Sequence, residues 1–387
     1  MSMNITNTSK KKIFLIFHGR FPSEKAASLF AAKSAEEFSR FNYEVELIVP
    51  ERSGSVSSDP YEYYGLERRF NIVRINSKDF FVYSFIPKKI SFFLNYLFFS
   101  IGVLSFIKKN ILENDVIFSN EILPLYFSSF VSKNTFYEMH DFPESKIFLF
   151  NFFVKRFKWI LIHNKWKTER FVKMFNWKRK NILTLPNAVD LEKFDLKIGK
   201  KEARKKLNIE SDKKIVIYTG HLYGWKGVDT LLSAAQMFDD GTIFFLIGGT
   251  DEDVKKYKAQ VNFSHIIFVG HRHHTEIPLW QRAGDCLIIP NTAKEKISKY
   301  YTSPMKLFEY MASRTPIVAS DIPSIREIVS EKEVIFFEPD SPESLKKSID
   351  KALSSDTENM IESARSKVEE YSWKKRQKRI IDFIQSF

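Results

Sequence analysis

Ser303-Pro304-Met305-Lys306-Leu307-Phe308-Glu309-Tyr310-Met311-Ala312, followed by Thr315-Pro316-Ile317-Val318-Ala319-Ser320, reads as a helix running into a short buried strand. Ser303 suits an N-cap and Pro304 the first helical position, where its missing N–H costs nothing. Lys306 then falls in the first turn, where the macrodipole is already positive and a capping box would place Glu or Gln. A cation there is unfavourable unless an anion shares the site. Glu309 lies one turn on, among Met305, Leu307, Phe308, Met311 and Ala312, so a carboxylate leaves a largely apolar helix and needs a partner such as a ligand hydroxyl. The alternative reading is a surface helix carrying an i,i+3 Lys–Glu pair.

Upstream and downstream the same alternation of apolar runs and helical spacing recurs. Lys12–His18 (KIFLIFH) is a continuous apolar run of the kind buried in parallel sheets, and Gly19-Arg20-Phe21-Pro22-Ser23 ends it. Ser23–Phe41 has helical spacing and Tyr43–Pro50 is the next strand, which makes a βαβ opening whose first loop is a usual ligand position. Further strands are predicted at Ile72–Asn76, Asp115–Asn120, Thr135–His140, Trp159–His163 and Ile182–Leu185. Pro186–Phe194 is turn-rich, with Asp190 placed to cap a short helix. Beyond it the rhythm resumes with Lys214–Thr219 as a strand and a helix over Lys226–Phe238. Thr242–Gly248, Ile266–Gly270 and Cys286–Ile289 are buried-type strands, Pro323–Val329 and Val334–Phe337 complete the sheet region, and helices follow at Ser341–Ser355, Thr357–Tyr371 and Trp373–Phe387. Lys226 beside glycines at a helix start suggests a diphosphate cradle of backbone N–H groups and one cation, the alternative being a solvated surface lysine.

These motifs resemble glycosyltransferase family 4, retaining enzymes of the GT-B architecture that use nucleotide sugars. In that family two glutamates eight residues apart contact the donor, one near the sugar and one on the ribose; Glu309 matches the second and Tyr301 stands at the first. Pro186–Phe194 resembles the interdomain motif. Gly220, His221 and Lys226 resemble the family's glycine, arginine, lysine-glycine pattern, with His221 where arginine is usual. His140, ending a strand before Asp141-Phe142-Pro143-Glu144, matches a histidine that lies near the reacting sugar. The resemblance implies an α/β fold of two Rossmann-like domains facing a cleft. It sets an acceptor-side domain at 1–188, with the 373–387 helix packing back on it, and a donor domain at 189–372. It implies catalytic roles for His140, Lys226 and Glu309. Donor contacts would come from Gly220, His221, Lys226, Arg272, Tyr301, Ser303, Met305, Lys306 and Glu309, and acceptor contacts from Gly19 and Arg20.

Composition bounds the remainder. The 387 residues suffice for two domains with separate cores, and 44% hydrophobic with 28% charged residues describes a globular chain. A single cysteine, Cys286, excludes an internal disulfide and a cysteine metal cluster. The histidines at 271, 273 and 274 lack the spacing of a metal site, so no metal is expected, and no cofactor: the nucleotide sugar is a substrate. A net charge of +13 favours an anionic partner. Without any nucleic-acid-binding signature, the expected partners are a nucleotide-sugar donor, a glycan or lipid-linked acceptor and an anionic membrane surface, with no nucleic acid. Ile90–Ile107 carries no charge and is flanked by Lys88-Lys89 and Lys108-Lys109. Its readings are a buried domain helix, an interfacial helix assisted by the basic, aromatic Lys146–Trp159, and, least fitting the alternating pattern, a span. The polar N-terminus followed by a short apolar run is not a signal sequence, so a cytoplasmic location, peripheral at the inner membrane face, is expected. The function that the resemblance implies, with these features, is transfer of a sugar, UDP-linked by preference, to a lipid-linked glycan acceptor in surface polysaccharide or oligosaccharide synthesis, with retention. The alternatives are an epimerase or hydrolase on the same fold, or a non-catalytic basic module.

Overall fold

The computed structural model describes residues 10–23, 25–52, 58–77, 79–209 and 212–387. The polar N-terminal stretch read above as lacking a signal lies mostly outside them. The chain divides into two units, one holding the described residues up to Ile162 with Thr168–Leu185 and Gln377–Phe387, the other His163–Lys167 with Pro186–Arg376.

The first unit is built on a seven-stranded sheet whose described pairs are all parallel, in the order β3-β2-β1-β4-β5-β6-β7. The strands are β1 (Lys12–Ile16), β2 (Glu44–Pro50), β3 (Asn71–Ile75), β4 (Val116–Ser119), β5 (Thr135–Met139), β6 (Trp159–Ile162) and β7 (Ile182–Thr184). Covering both faces of a parallel sheet demands unbroken apolar strands, and Ile13, Phe14, Leu47, Ile117, Phe136 and Leu161 are accordingly buried. Ile380 and Ile381, from the C-terminal segment Gln377–Phe387, complete this core. The second unit carries a six-stranded sheet, again parallel in every described pair, in the order β10-β9-β8-β11-β12-β13. Its strands are β8 (Lys214–Thr219), β9 (Thr242–Ile247), β10 (Ile266–Gly270), β11 (Cys286–Ile289), β12 (Ile317–Ser320) and β13 (Ile335–Phe337).

In each sheet the chain winds outward from a central strand, then returns to its other side. The reversal falls between β1 and β4 in one unit and between β8 and β11 in the other. Loops at the carboxyl ends of those strand pairs diverge and leave room for a ligand.

Several local readings are corrected. The helix containing Glu309 spans Met305–Ala312 and Pro304 takes the N-cap position in an extended conformation, one residue later than expected. Ser303 does not cap it, because its Oγ accepts the Asn187 N–H at 3.1 Å. Lys226 ends a 3-10 turn, Gly224–Lys226, and the helix proper is Val228–Ala235. Gly227 separates the two at φ 74°, a left-handed conformation that an L side chain resists. Pro323–Arg326 is a helical turn rather than part of the sheet. Asp190 caps the Leu191–Phe194 turn through the Lys193 N–H at 3.3 Å, as its position predicts.

Candidate functional site

The second unit's reversal point is assembled from backbone that only glycine allows. After β8, Gly220 (φ 130°) passes so close to Gly248 that a Cβ on the latter would lie 2.3 Å from the Gly220 carbonyl oxygen. A Cβ on Gly227 would lie 1.8 Å from the Pro290 carbonyl oxygen, so the loop after β8 is pressed against the loop after β11. Into this place come three ionisable side chains. Lys306, 8% exposed, holds its Nζ 3.8 Å from the centre of the Tyr218 ring and has no hydrogen-bond partner among the described residues. Lys226, half-buried, lies over the Trp225 ring at 3.9 Å. Glu309 accepts a long contact of 3.5 Å from the Gln281 amide.

Their electrostatics are mutually strained. Burial, and then the Lys226 charge, push the Lys306 ammonium well below the ordinary lysine value, Glu309 opposing. Burial lowers Lys226 to about 8, again against Glu309. Burial raises the Glu309 carboxyl to about 7 although both lysines and Gln281 favour its ionised form. Two cations thus share one carboxylate in a poorly hydrated place. A multivalent anion would supply the missing charge, and the helices starting at Met305 and Val228 present N-terminal dipoles of the same sign.

The other expected donor residues are distributed around this centre. His221 is exposed and stacked on Tyr223 at 4.9 Å; partial burial and then the Lys226 charge hold its imidazole below the usual value. Met305 is half-buried at the helix start. Ser303 is fixed by Asn187, whose side-chain amide also donates to the Ser303 carbonyl at 2.7 Å. Tyr301 is buried at the end of a single π turn, Ile297–Tyr301. Arg272 is exposed and donates to the neighbouring His271 carbonyl at 3.0 Å. Asn291, in the loop after β11, is a residue the sequence reading missed. It is fully buried, and its amide nitrogen and oxygen both lack partners among the described residues. Its backbone N lies 3.2 Å from where a Gly227 Cβ would be.

Gly19, Arg20 and His140 belong to the first unit. Its reversal point carries a cluster that spacing did not reveal. His18, just past β1, is buried against the rings of Tyr96 (4.7 Å) and Phe99 (5.1 Å), with its Nε2 2.8 Å from the Arg52 guanidinium. Burial, then Arg52, lower the imidazole to about 3, so it is neutral and accepts from Arg52. Glu121, past β4, accepts the His18 backbone N–H at 3.4 Å, and burial raises its carboxyl against the pull of Tyr96, His140 and Arg52. His140, half-exposed at the end of β5, meets the Phe30 ring edge-on at 5.2 Å and places Nε2 3.6 Å from Glu138. Arg20 is exposed, and a Cβ on Gly19 would lie 2.3 Å from the Phe17 ring. The clue available in the sequence was a polar residue two positions past each apolar strand at the reversal, His18 and Glu121.

Two Rossmann-like parallel-sheet units define the GT-B class of glycosyltransferase folds. The solved structure of HepE from Anabaena, in complex with UDP and glucose, superposes with a TM-score of 0.74 over 98% of this chain and 100% of that one, at 15% identity. Residues 199–371 match the family model described as Glycosyl transferases group 1. An uncharacterized glycosyltransferase of Methanocaldococcus jannaschii is 24% identical over 218 residues, 53% of this chain and 54% of that protein. The processive diacylglycerol alpha-glucosyltransferase of Acholeplasma laidlawii is 26% identical over 200 residues, 50% of this chain and 57% of its own. The chain spans about half the length of the curated relatives it matches.

Proposed function

We propose that this protein transfers a sugar from a nucleoside diphosphate sugar, UDP-linked by preference, to a glycan acceptor carried on lipid, with retention of anomeric configuration. The observation that carries the reading is the pair Lys226 and Lys306, two poorly hydrated cations short of counter-charge at the reversal point of the second sheet. The family match over 199–371 supports a sugar-nucleotide donor there, and the UDP and glucose held by HepE support the base and sugar class. In this reading the two ammonium groups and the two helix N-termini bind the diphosphate and stabilise the charge that grows on it as the sugar–oxygen bond breaks. That is work a divalent metal performs in other transferases, and here it needs none. Glu309 accepts from the ribose hydroxyls, and Asn291 offers its unused amide to the diphosphate or the sugar. His140, Gly19 and Arg20 serve the acceptor. The acceptor hydroxyl attacks from the face that the leaving group vacates. Synthesis of this kind takes place at the cytoplasmic face of the membrane, on a surface polysaccharide or oligosaccharide.

A thermal-shift panel of UDP, GDP, ADP and CMP tests the donor site. At a hundred times its dissociation constant one nucleotide should add about 2.7 kcal/mol of stability, and Lys226→Ala and Glu309→Ala should each abolish the gain. No shift with any nucleotide would refute the reading. Nucleotide release that proceeds without acceptor would instead identify a hydrolase or epimerase.

A further inference from the structure

The Lys88–Asn110 helix is apolar on its exposed face as well as on much of its buried one, which is unusual for a protein bathed only in water. It is long and apolar enough to cross a bilayer, with a mean hydropathy of 2.0 over its most apolar window, yet only 33% of that window is buried. The buried positions include Ser91, Asn95 and Ser100, whereas Ile90, Phe93 and Ile101 are 51%, 57% and 49% exposed. The polar side chains have internal work: Asn95 Oδ1 accepts the Phe80 N–H at 2.8 Å, and Ser100 donates to the Tyr96 carbonyl at 2.6 Å. A span is excluded by connectivity, since the helix links β3 to β4 of one parallel sheet and keeps one face, carrying Ser91, Asn95 and Ser100 beside Phe99, Val103 and Ile107, buried. An outward apolar face on a helix without a single acidic residue needs a partner of its own.

Neighbouring elements extend this face. Phe80 of the turn just before the helix packs on Phe98 with ring centres 5.2 Å apart, and Phe85 in the same approach is 81% exposed. On the other side the Ile147–Val154 helix exposes Phe148 at 86% and Phe152 at 54%; Tyr126 of the intervening Ile122–Ser128 helix contacts Phe152 at 5.7 Å. Exposed lysines border the apolar surface: Lys88, Lys89, Lys108 and Lys109 at the ends of the long helix, and Lys146 and Lys155 beside the short one. Asp79 is turned inward, accepting from the Phe81 N–H and the Asn95 amide.

We infer that this surface docks on an anionic lipid bilayer, the long helix lying in the interface with its rings among the acyl chains and its terminal lysines at the headgroups. Charge complementarity selects this occupant: lysines at both ends of a face about 34 Å long, in a chain of net charge +13, match a plane of anionic headgroups over an apolar layer. The inner side of the same helix delivers Tyr96 to His18 and Glu121, so the lipid surface lies one helix thickness from the acceptor-side cluster. In making the membrane the source of the acceptor this inference rests on the transferase reading; the docking itself does not.

Flotation of the full chain tests it, with vesicles of phosphatidylcholine alone and with about a third phosphatidylglycerol. Binding is expected to the anionic vesicles and to weaken with salt. The combined variant Phe85→Ser, Phe93→Ser, Phe148→Ser changes only exposed rings and should lower binding at least about ten-fold. Its first-unit thermal transition should match that of the unaltered chain, which shows the fold of the altered unit intact, and its UDP-induced shift should be unchanged. The inference is overturned if the unaltered chain stays unbound to anionic vesicles at low salt, or if the variant floats equally well. It is also overturned if the unaltered chain is a dimer that the variant makes monomeric, since the face then belongs to a second copy. Vesicle binding without any nucleotide shift would sustain the docking and sink the transferase reading; a nucleotide shift without vesicle binding would do the reverse.

Discussion

Lys226 titrates near pH 8 in the free protein because burial disfavours its cation, and that value gives the proposed donor site a specific pH dependence. A diphosphate binds the ammonium in preference to the amine. With the folded value below the ordinary one, the cationic fraction falls from about nine-tenths at pH 7 to about one-tenth at pH 9, so UDP affinity should drop about ten-fold over that interval. Burial and the Lys226 charge lower the Lys306 ammonium in the same direction. Calorimetric titration at pH 8 in two buffers of different ionisation enthalpy should therefore show a buffer-dependent heat, and an affinity flat from pH 7 to 9 would sink the assignment. At this scale the sequence was informative where one segment carries several groups: Lys306 and Glu309 stand out because a helix start and an apolar face make their charges costly. Asn291, His18, Arg52 and Glu121 escaped notice because each is a single polar residue after a strand. Only the sheet order, which no local pattern encodes, brings them to the reversal points.

The element that presents Lys306 and Glu309 is held by a buried ionic knot rather than by a cap. Pro304 offers no side-chain acceptor, and the Met305–Ala312 helix ends near Arg314, at φ 56°. Arg314 donates to Asp195 at 2.6 Å, and Arg365 of the Glu358–Val368 helix donates to the same carboxylate at 2.8 and 3.0 Å. Burial alone would raise the Asp195 carboxyl, but Arg314, Arg365 and Lys197 outweigh it and hold it well below the usual range. Asp195→Ala leaves both guanidinium groups without this carboxylate and should cost about 3 kcal/mol in chemical denaturation. The sign of the pH effect follows from the lowered value: the stabilisation is complete above the ordinary aspartate pKa near 4 and is lost as pH falls below it. Asp195→Ala should thus narrow its deficit towards pH 3, and an unchanged deficit would show that the knot carries no such stability. Element boundaries were legible in the same uneven way. Strands buried on both faces announce themselves as apolar runs. The start of the Val228–Ala235 helix was misplaced because Gly227 must turn left-handed to clear Pro290, a contact distant in sequence. The long Lys88–Asn110 helix was legible as apolar, but which of its faces is buried depends on the polar contacts of Asn95 and Ser100.

Each unit closes its own apolar core around its own sheet, so ligand and mutation can be followed unit by unit. The first core draws on Ile13, Phe38, Phe118 and Ile380, the second on two layers that include Ile217, Leu307 and Tyr310 on one side and Tyr218, Leu231 and Phe244 on the other. Lys226, Lys306, Glu309 and Asp195 all lie in the second. Scanning calorimetry should therefore resolve two transitions, as expected when domains have separate cores. Asp195→Ala identifies the second unit's transition by lowering it. UDP at a hundred times its dissociation constant should raise that same transition: about 2.7 kcal/mol, in a unit of this size, corresponds to a shift of roughly 5 to 10 °C. The first unit's transition should stay within a degree or so of its place, since the proposed nucleotide contacts are absent from it. A UDP shift confined to the transition that Asp195→Ala leaves unmoved would assign the nucleotide to the wrong unit and overturn the donor site. A single transition responding to both would show that the two cores unfold as one despite their separate packing, and the donor site would stand.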